Sequence, residues 1–156
     1  MKTLILYATK YGATYEIARR IAERMDGAVI HDLKNDGMPS LEEFDCVIAG
    51  SSVYVGMIRK EAKAFLAKNT AALCNMKFGL FLSGLEPGKE NELFSTNFSP
   101  QILQSAKAKV FLDGIFDPKK IRLFDRILLK MAAKPSKYMN TINDEKIKEF
   151  AEAMGL

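Results

Sequence analysis

Hydrophobic and polar positions fall in blocks along this chain, and the block pattern changes period repeatedly. Residues 2–7 form a near-continuous apolar run, the pattern of a central parallel strand buried on both faces. Ile17, Ala18, Ile21, Ala22 and Met25 then recur at helix spacing and predict a helix over 12–25, stopped by Asp26-Gly27. A short strand is expected over 28–33, and a loop over 34–40, where Asn35, Asp36, Gly37 and Pro39 gather. Residues 44–50 read as a third, fully buried strand, followed by a small-residue loop over 50–56. Ala62, Phe65 and Leu66 mark the apolar face of a helix over 59–68. A fourth strand spans 78–83, a loop 84–91, a weakly patterned helix 100–106 and a fifth strand 109–116. Asp117-Pro118 turns the chain into a basic amphipathic segment over 119–133. A loop over 136–143 leads to a last helix over 144–154, with Ile147, Phe150, Ala151 and Met154 inward.

Strands alternating with helices predict a parallel sheet with helices on both faces. Right-handed crossovers leave few topologies. Five strands in this length fit the doubly wound order 2-1-3-4-5, in a single α/β domain over 1–156. No internal repeat, linker or low-complexity segment interrupts it.

In such a sheet, ligands bind outside the carboxyl ends of the strands, at the switch point between the first and third. Three loops leave those ends: 8–14, 51–56 and 84–91. The first passes from strand through hydroxyls, one lysine and one glycine into a helix start. Helix N-termini carry unpaired N–H groups and a partial positive charge, which suit a phosphate. Thr9 and Thr14 can donate to the same anion, and Gly12 lets the backbone approach closely. The plain alternative is an ordinary strand-to-helix turn in which Thr14 caps the helix. Neither the three-glycine dinucleotide fingerprint nor the Walker loop is present.

Charge and cysteine content narrow the classes. Of 156 residues, 48% are hydrophobic and 27% charged, ordinary for a globular domain. Lys2 and the short run after it do not make a secretory leader, and no stretch is long enough to span a membrane. Cys46 and Cys74 are far apart and form no metal or redox motif; Cys46 reads as core, and a reduced, cytoplasmic setting fits. The lone His31 lies in a short apolar run and reads as structural, so no metal site is expected. The net charge of +4 favours acidic partners or anionic surfaces, but no nucleic-acid module is present.

The spacing Tyr7, Thr9, Gly12, Thr14, Ala18 resembles the phosphate loop of flavodoxins. That resemblance implies flavin mononucleotide (FMN) as cofactor. Thr9, Lys10, Tyr11, Gly12, Ala13 and Thr14 would then hold the phosphate. Ser51, Ser52, Val53, Tyr54, Val55 and Gly56 would flank the ring, with Ser83, Gly84, Leu85 and Glu86 along its pyrimidine edge. Tyr54 is the one aromatic in its loop; it either stacks on the ring or is a surface tyrosine. Gly56 either permits the backbone flip by which family members hydrogen-bond the reduced flavin N5, or is a turn residue only. Two departures argue against a very low-potential carrier. The third loop lacks a tyrosine for the other ring face, and the chain is basic where flavodoxins are usually acidic.

A closer resemblance covers most of the chain. Met1-Lys2-Thr3-Leu4-Ile5-Leu6 leading to Thr9-Lys10, Gly50-Ser51-Ser52-Val53 with Gly56, and Phe124-Asp125-Arg126-Ile127-Leu128-Leu129-Lys130 are similar to the flavodoxin-type, menaquinone-dependent protoporphyrinogen oxidases. This implies a flavin redox protein, either an electron carrier working with a partner protein or an oxidoreductase using porphyrinogen and quinone. No side chain need act as acid or base, because the flavin does the chemistry. A flavodoxin-like binding module without flavin is the alternative from a different class.

The late segment carries the discrimination. Ile121, Phe124, Ile127, Leu128 and Met131 fall on one helical face, and Lys119, Lys120, Arg122, Arg126, Lys130 and Lys134 crowd the remainder. Such a helix either packs its apolar face on the domain, the commoner arrangement, or lies peripherally on the inner face of an anionic membrane. Asp125 and Arg126 either pair locally or bridge to the substrate loop.

Overall fold

The computed structural model describes residues 1–131 and 137–155, with the side chain of Leu129 excepted. The first strand, β1 (Thr3–Ala8), is buried along its whole length. Its alternate residues serve opposite layers. Leu4, Leu6 and Ala8 join one cluster and Ile5 and Tyr7 the other, so a strand with two cores reads as one apolar run. The parallel strands β2 (Val29–Asp32), β3 (Cys46–Tyr54), β5 (Lys77–Ser83) and β6 (Ala108–Phe111) complete the sheet in the order β2-β1-β3-β5-β6. This is the expected doubly wound order 2-1-3-4-5, with a small additional strand, β4 (Met57–Ile58), paired to β3.

Helices α1 (Ala13–Ala22) and α6 (Asp144–Ala153) cover one face, burying Ile17, Ala18, Ile21, Ile147 and Phe150. Helices α2 (Lys60–Cys74), α3 (Glu90–Asn97) and α4 (Pro100–Ser105) cover the other with Phe65, Leu66, Leu93, Phe94 and Ile102. Cys46 is buried, as expected, and His31 Nε2 hydrogen-bonds the Gly37 carbonyl oxygen at 2.8 Å. Arg20 reaches from α1 to both Glu16 (2.8 Å) and Asp144 of α6 (3.1 Å), tying the two helices.

Several boundaries differ from the sequence pattern, each for a local reason. β3 does not stop at Gly50. Ser51 and Ser52 continue the ladder beside Leu82 and Ser83, and Val53 and Tyr54 pair with Ile58 and Met57. The two residues between, Val55 and Gly56, both have positive φ (50° and 72°), the requirement of a tight two-residue hairpin. A valine in the first position conceals that turn from sequence. α2 runs on to Cys74 because Leu73 is fully buried. Helix α3 occupies residues with no helical period in the sequence. The fifth parallel strand ends at Phe111, since Asp113 has φ 58° and Gly114 lies under the Gly84 carbonyl, where a Cβ would sit 3.0 Å from the oxygen. The chain beyond forms a separate antiparallel pair, β7 (Ile115–Phe116) with β8 (Met139–Asn140). Helix α5 (Leu123–Met131) follows β7. The expected end of the basic segment, with Lys134, and the start of the loop after it fall on 132–136, outside the described residues.

Gly50 of β3 lies directly beside Phe81 of β5, and a Cβ there would stand 1.9 Å from the ring. Gly50→Ala is expected to lower stability by about 2 kcal/mol through overpacking, read as a lower denaturant midpoint with unchanged slope. A second expectation concerns acid. Glu16 is lowered from 4.5 to about 2, first by its hydrogen bond to Arg19, against partial burial and with help from Arg20. Unfolded Glu16 takes up its proton first as pH falls, so its contribution is full above pH 4.5 and is lost as pH drops through 2. Glu16→Gln should flatten the loss of stability across that window in acid titrations followed by circular dichroism.

Candidate functional site

The β1–α1 connection turns at Gly12, whose φ of 98° puts it in the left-handed region that favours glycine. No side chain caps α1 there. Thr9 Oγ1 instead accepts from the Gly12 N–H at 2.9 Å, which bends the loop back and leaves the Thr9 hydroxyl hydrogen aimed elsewhere. Thr14 does not cap the helix either. It is fully buried, and its hydroxyl pairs with Ser83 Oγ at 2.7 Å, fastening the first loop to the end of β5. The helix start therefore keeps first-turn N–H groups for an anion, next to one free hydroxyl donor.

The second loop is held to the first by the Lys10 N–H, which donates to Ser52 Oγ at 3.2 Å. Together the loops line one cavity. Thr9, Lys10, Tyr11 and Ala13 form one side, Ser52, Val53 and Tyr54 the second, and Ser83, Gly84 and Leu85 the third. Ten of the sequence-selected residues thus meet in one place. Gly12 lines the adjoining groove with Tyr15, Arg20, Lys120 and Tyr138. Ser51 is buried behind the wall, accepting from the Arg59 N–H at 2.9 Å and donating to the Ser52 carbonyl. Val55 and Gly56 sit at the hairpin tip, outside the cavity lining, where the Gly56 carbonyl accepts from Asn97 Nδ2 at 2.9 Å. Glu86 lies beyond the lining and pairs with Lys89 at 3.3 Å.

A fourth wall did not emerge from loop patterns. Gly114, Ile115, Phe116, Asp117, Ile121 and Asp125 close the cavity from the late segment. Asp125 is 3% exposed although it stands in the first turn of α5. Its carboxylate accepts hydrogen bonds from the Tyr11 and Tyr54 hydroxyls and forms an ion pair with Lys10 Nζ at 2.9 Å. The same ammonium lies 3.2 Å from the centre of the Tyr54 ring. Three residues from two loops thus satisfy one buried acid, with Lys10 alone balancing its charge. The signal for this wall in the sequence is the lone Asp125 within an otherwise basic and apolar run.

Chemically, the site combines an uncapped helix N-terminus and a hydroxyl donor with apolar walls from Val53, Leu85, Ile115 and Phe116, and an aromatic ring at Tyr54. That donor set fits a phosphate joined to a flat ring. No group of three or more potential metal ligands occurs among the described residues.

The family model described as a flavodoxin domain matches residues 4–143. The protoporphyrinogen IX dehydrogenase [quinone] of Escherichia coli (strain K12) is 27% identical over 149 residues, covering 87% of this chain and 81% of its own. Oxidised flavodoxin 1 from Bacillus cereus superposes with a TM-score of 0.56 at 14% identity, covering 99% of this chain and 97% of that one. The rubredoxin oxygen:oxidoreductase of Desulfovibrio gigas superposes with a TM-score of 0.58 at 17% identity over 99% of this chain. This chain spans 37% of that larger protein. The structural likenesses concern the fold.

The Asp125 contacts give an expectation for the isolated protein. Asp125→Ala removes the attachment of α5 to both loops. Trypsin cleavage at Arg122, Arg126 or Lys130 should then accelerate about tenfold or more, the effect of losing charge-assisted hydrogen bonds on local opening. Mass spectrometry of timed digests reads it.

Proposed function

Because the chain belongs to the flavodoxin-domain family, we propose that it binds FMN noncovalently in this cavity and works as a flavin redox protein. The observation that carries the reading is the convergence of an uncapped α1 N-terminus, the Thr9 hydroxyl and the Tyr54 ring around one cavity at the sheet's switch point. In this reading the phosphate lies against the first turn of α1, within reach of Thr9. The ring lies toward Tyr54, between the second and third loops. When bound, FMN supplies the electron and hydride chemistry. The chain's residues hold and orient it and exclude water. Thr14, buried behind the lining, fixes the spacing of two walls through its hydrogen bond to Ser83.

We further propose quinone-linked oxidation of a porphyrinogen as the reaction. The E. coli relative is named for it, and the similarity extends over most of both chains. The charge supports this over a low-potential carrier. At +4 overall, the protein does little to disfavour a reduced, anionic flavin.

An absorbance scan before and after adding FMN, followed by gel filtration, tests the cofactor. Flavin bands that co-elute with the protein support it; no retained flavin after reconstitution would sink it in favour of a binding module. Thr9→Ala is expected to weaken FMN binding about tenfold or more in a fluorescence titration, by loss of one donor to a charged phosphate. For the reaction, anaerobic protoporphyrinogen with a menaquinone analogue should yield porphyrin fluorescence only with the FMN-loaded protein. Flavin binding without turnover would leave the carrier reading in its place.

A further inference from the structure

Helix α5 is turned inside out relative to an ordinary surface helix. Its polar Asp125 faces the protein, and its long apolar side chains face away. Leu123, Phe124, Ile127 and Met131 are 74%, 70%, 51% and 80% exposed. They follow one another at helical spacing on a single face. Elsewhere the exposed large apolar side chains, such as Val29 and Met38, are scattered along the chain, as is normal for a surface. Around the α5 stripe stand exposed Lys119, Lys120, Arg122, Arg126, Lys130 and Lys137. The acids of this stretch do not offset them: Asp125 is buried and paired with Lys10, which leaves Asp117 alone against six cations.

We propose that this face docks on an anionic lipid bilayer, with α5 lying in the plane of the interface and its apolar stripe sunk among the acyl chains. An apolar band bordered by lysines and arginines is the composition that interfacial helices use. A protein partner fits less well, because interface cores are depleted in lysine. A second copy of this chain fits worst, since it would bring two strongly cationic faces together. The docked helix would also be held in register with the cavity. Asp125, on its inner side, grips Lys10, Tyr11 and Tyr54, while Ile121 lines the cavity wall. A lipid-dissolved electron acceptor would thus meet the site about one helix diameter, ~10 Å, from the membrane. This last consequence rests on the proposed quinone-linked function; the docking itself does not.

The test is sedimentation of the full chain with phosphatidylglycerol-containing vesicles at low salt. The protein is expected in the pellet with these vesicles, in the supernatant with pure phosphatidylcholine, and released by about 1 M salt, which screens charges beyond a few ångströms. Lys119→Gln, Arg122→Gln and Lys130→Gln together should cut partitioning about a hundredfold. Phe124→Ser with Ile127→Ser should cut it at least about tenfold. Both variants change exposed side chains outside the site, so their FMN spectra should match the parent. That readout separates failure of docking from failure of flavin binding. Protein that stays in the supernatant with anionic vesicles, or binds neutral vesicles equally, overturns the proposal. So does a concentration-dependent dimer abolished by Phe124→Ser.

Discussion

Burial of the central strands on both faces is the constraint from which the remaining arrangement follows. Leu4 and Leu6 pack toward α2, while Ile5 and Tyr7 pack toward α1 and α6, so β1 has no face left for solvent. The same holds for Val47 and Ile48 of β3 and for Leu80 and Phe81 of β5. Polar chemistry is then confined to where these strands end. Their loops are fastened to one another by short polar contacts, Thr14 to Ser83 and Lys10 to Ser52. Gly50 serves the same constraint from inside, since the Phe81 ring fills the space a side chain would need.

The late segment solves a different problem. Once β6 ends at Phe111, the chain has left the sheet and must still shield the open side of the cavity. It does so with the β7–β8 pair and with α5, which is tethered through a charged group rather than an apolar face. A buried carboxylate is tolerated only with its charge and hydrogen bonds matched, and Lys10, Tyr11 and Tyr54 supply that match. An apolar anchor would have oriented the helix the other way and hidden Phe124 and Ile127. The polar anchor leaves them outside, which gives the helix a surface of its own next to the cavity.

The fold and three walls of the site were legible in the sequence. The reason is physical: strands with two buried faces, a glycine before a helix and clustered hydroxyls are local patterns that force local structure. The hairpin at Val55-Gly56 was not legible, because the first turn position holds a β-branched residue instead of the usual glycine or asparagine. Nor was α3, where Glu90–Asn97 buries only Leu93 and Phe94 and shows no sustained period. Tyr54 appeared as a lone aromatic that either stacks on a ring or sits on the surface; the structure sets it at the cavity with its hydroxyl on Asp125 and Lys10 over its ring.

The sequence by itself determined the parallel α/β layering, the strand order and the turn through Gly12 into the first helix, since each rests on periodicities and residue types read within a few positions. It also showed that 119–133 is amphipathic and basic. Only the tertiary structure decided which side of that helix faces inward. Amphipathicity specifies an apolar face and a polar face but names no partner for either. The choice fell to Asp125, whose partners lie 114 and 71 residues earlier in Tyr11 and Tyr54 and are brought within hydrogen-bonding reach only when the sheet is assembled.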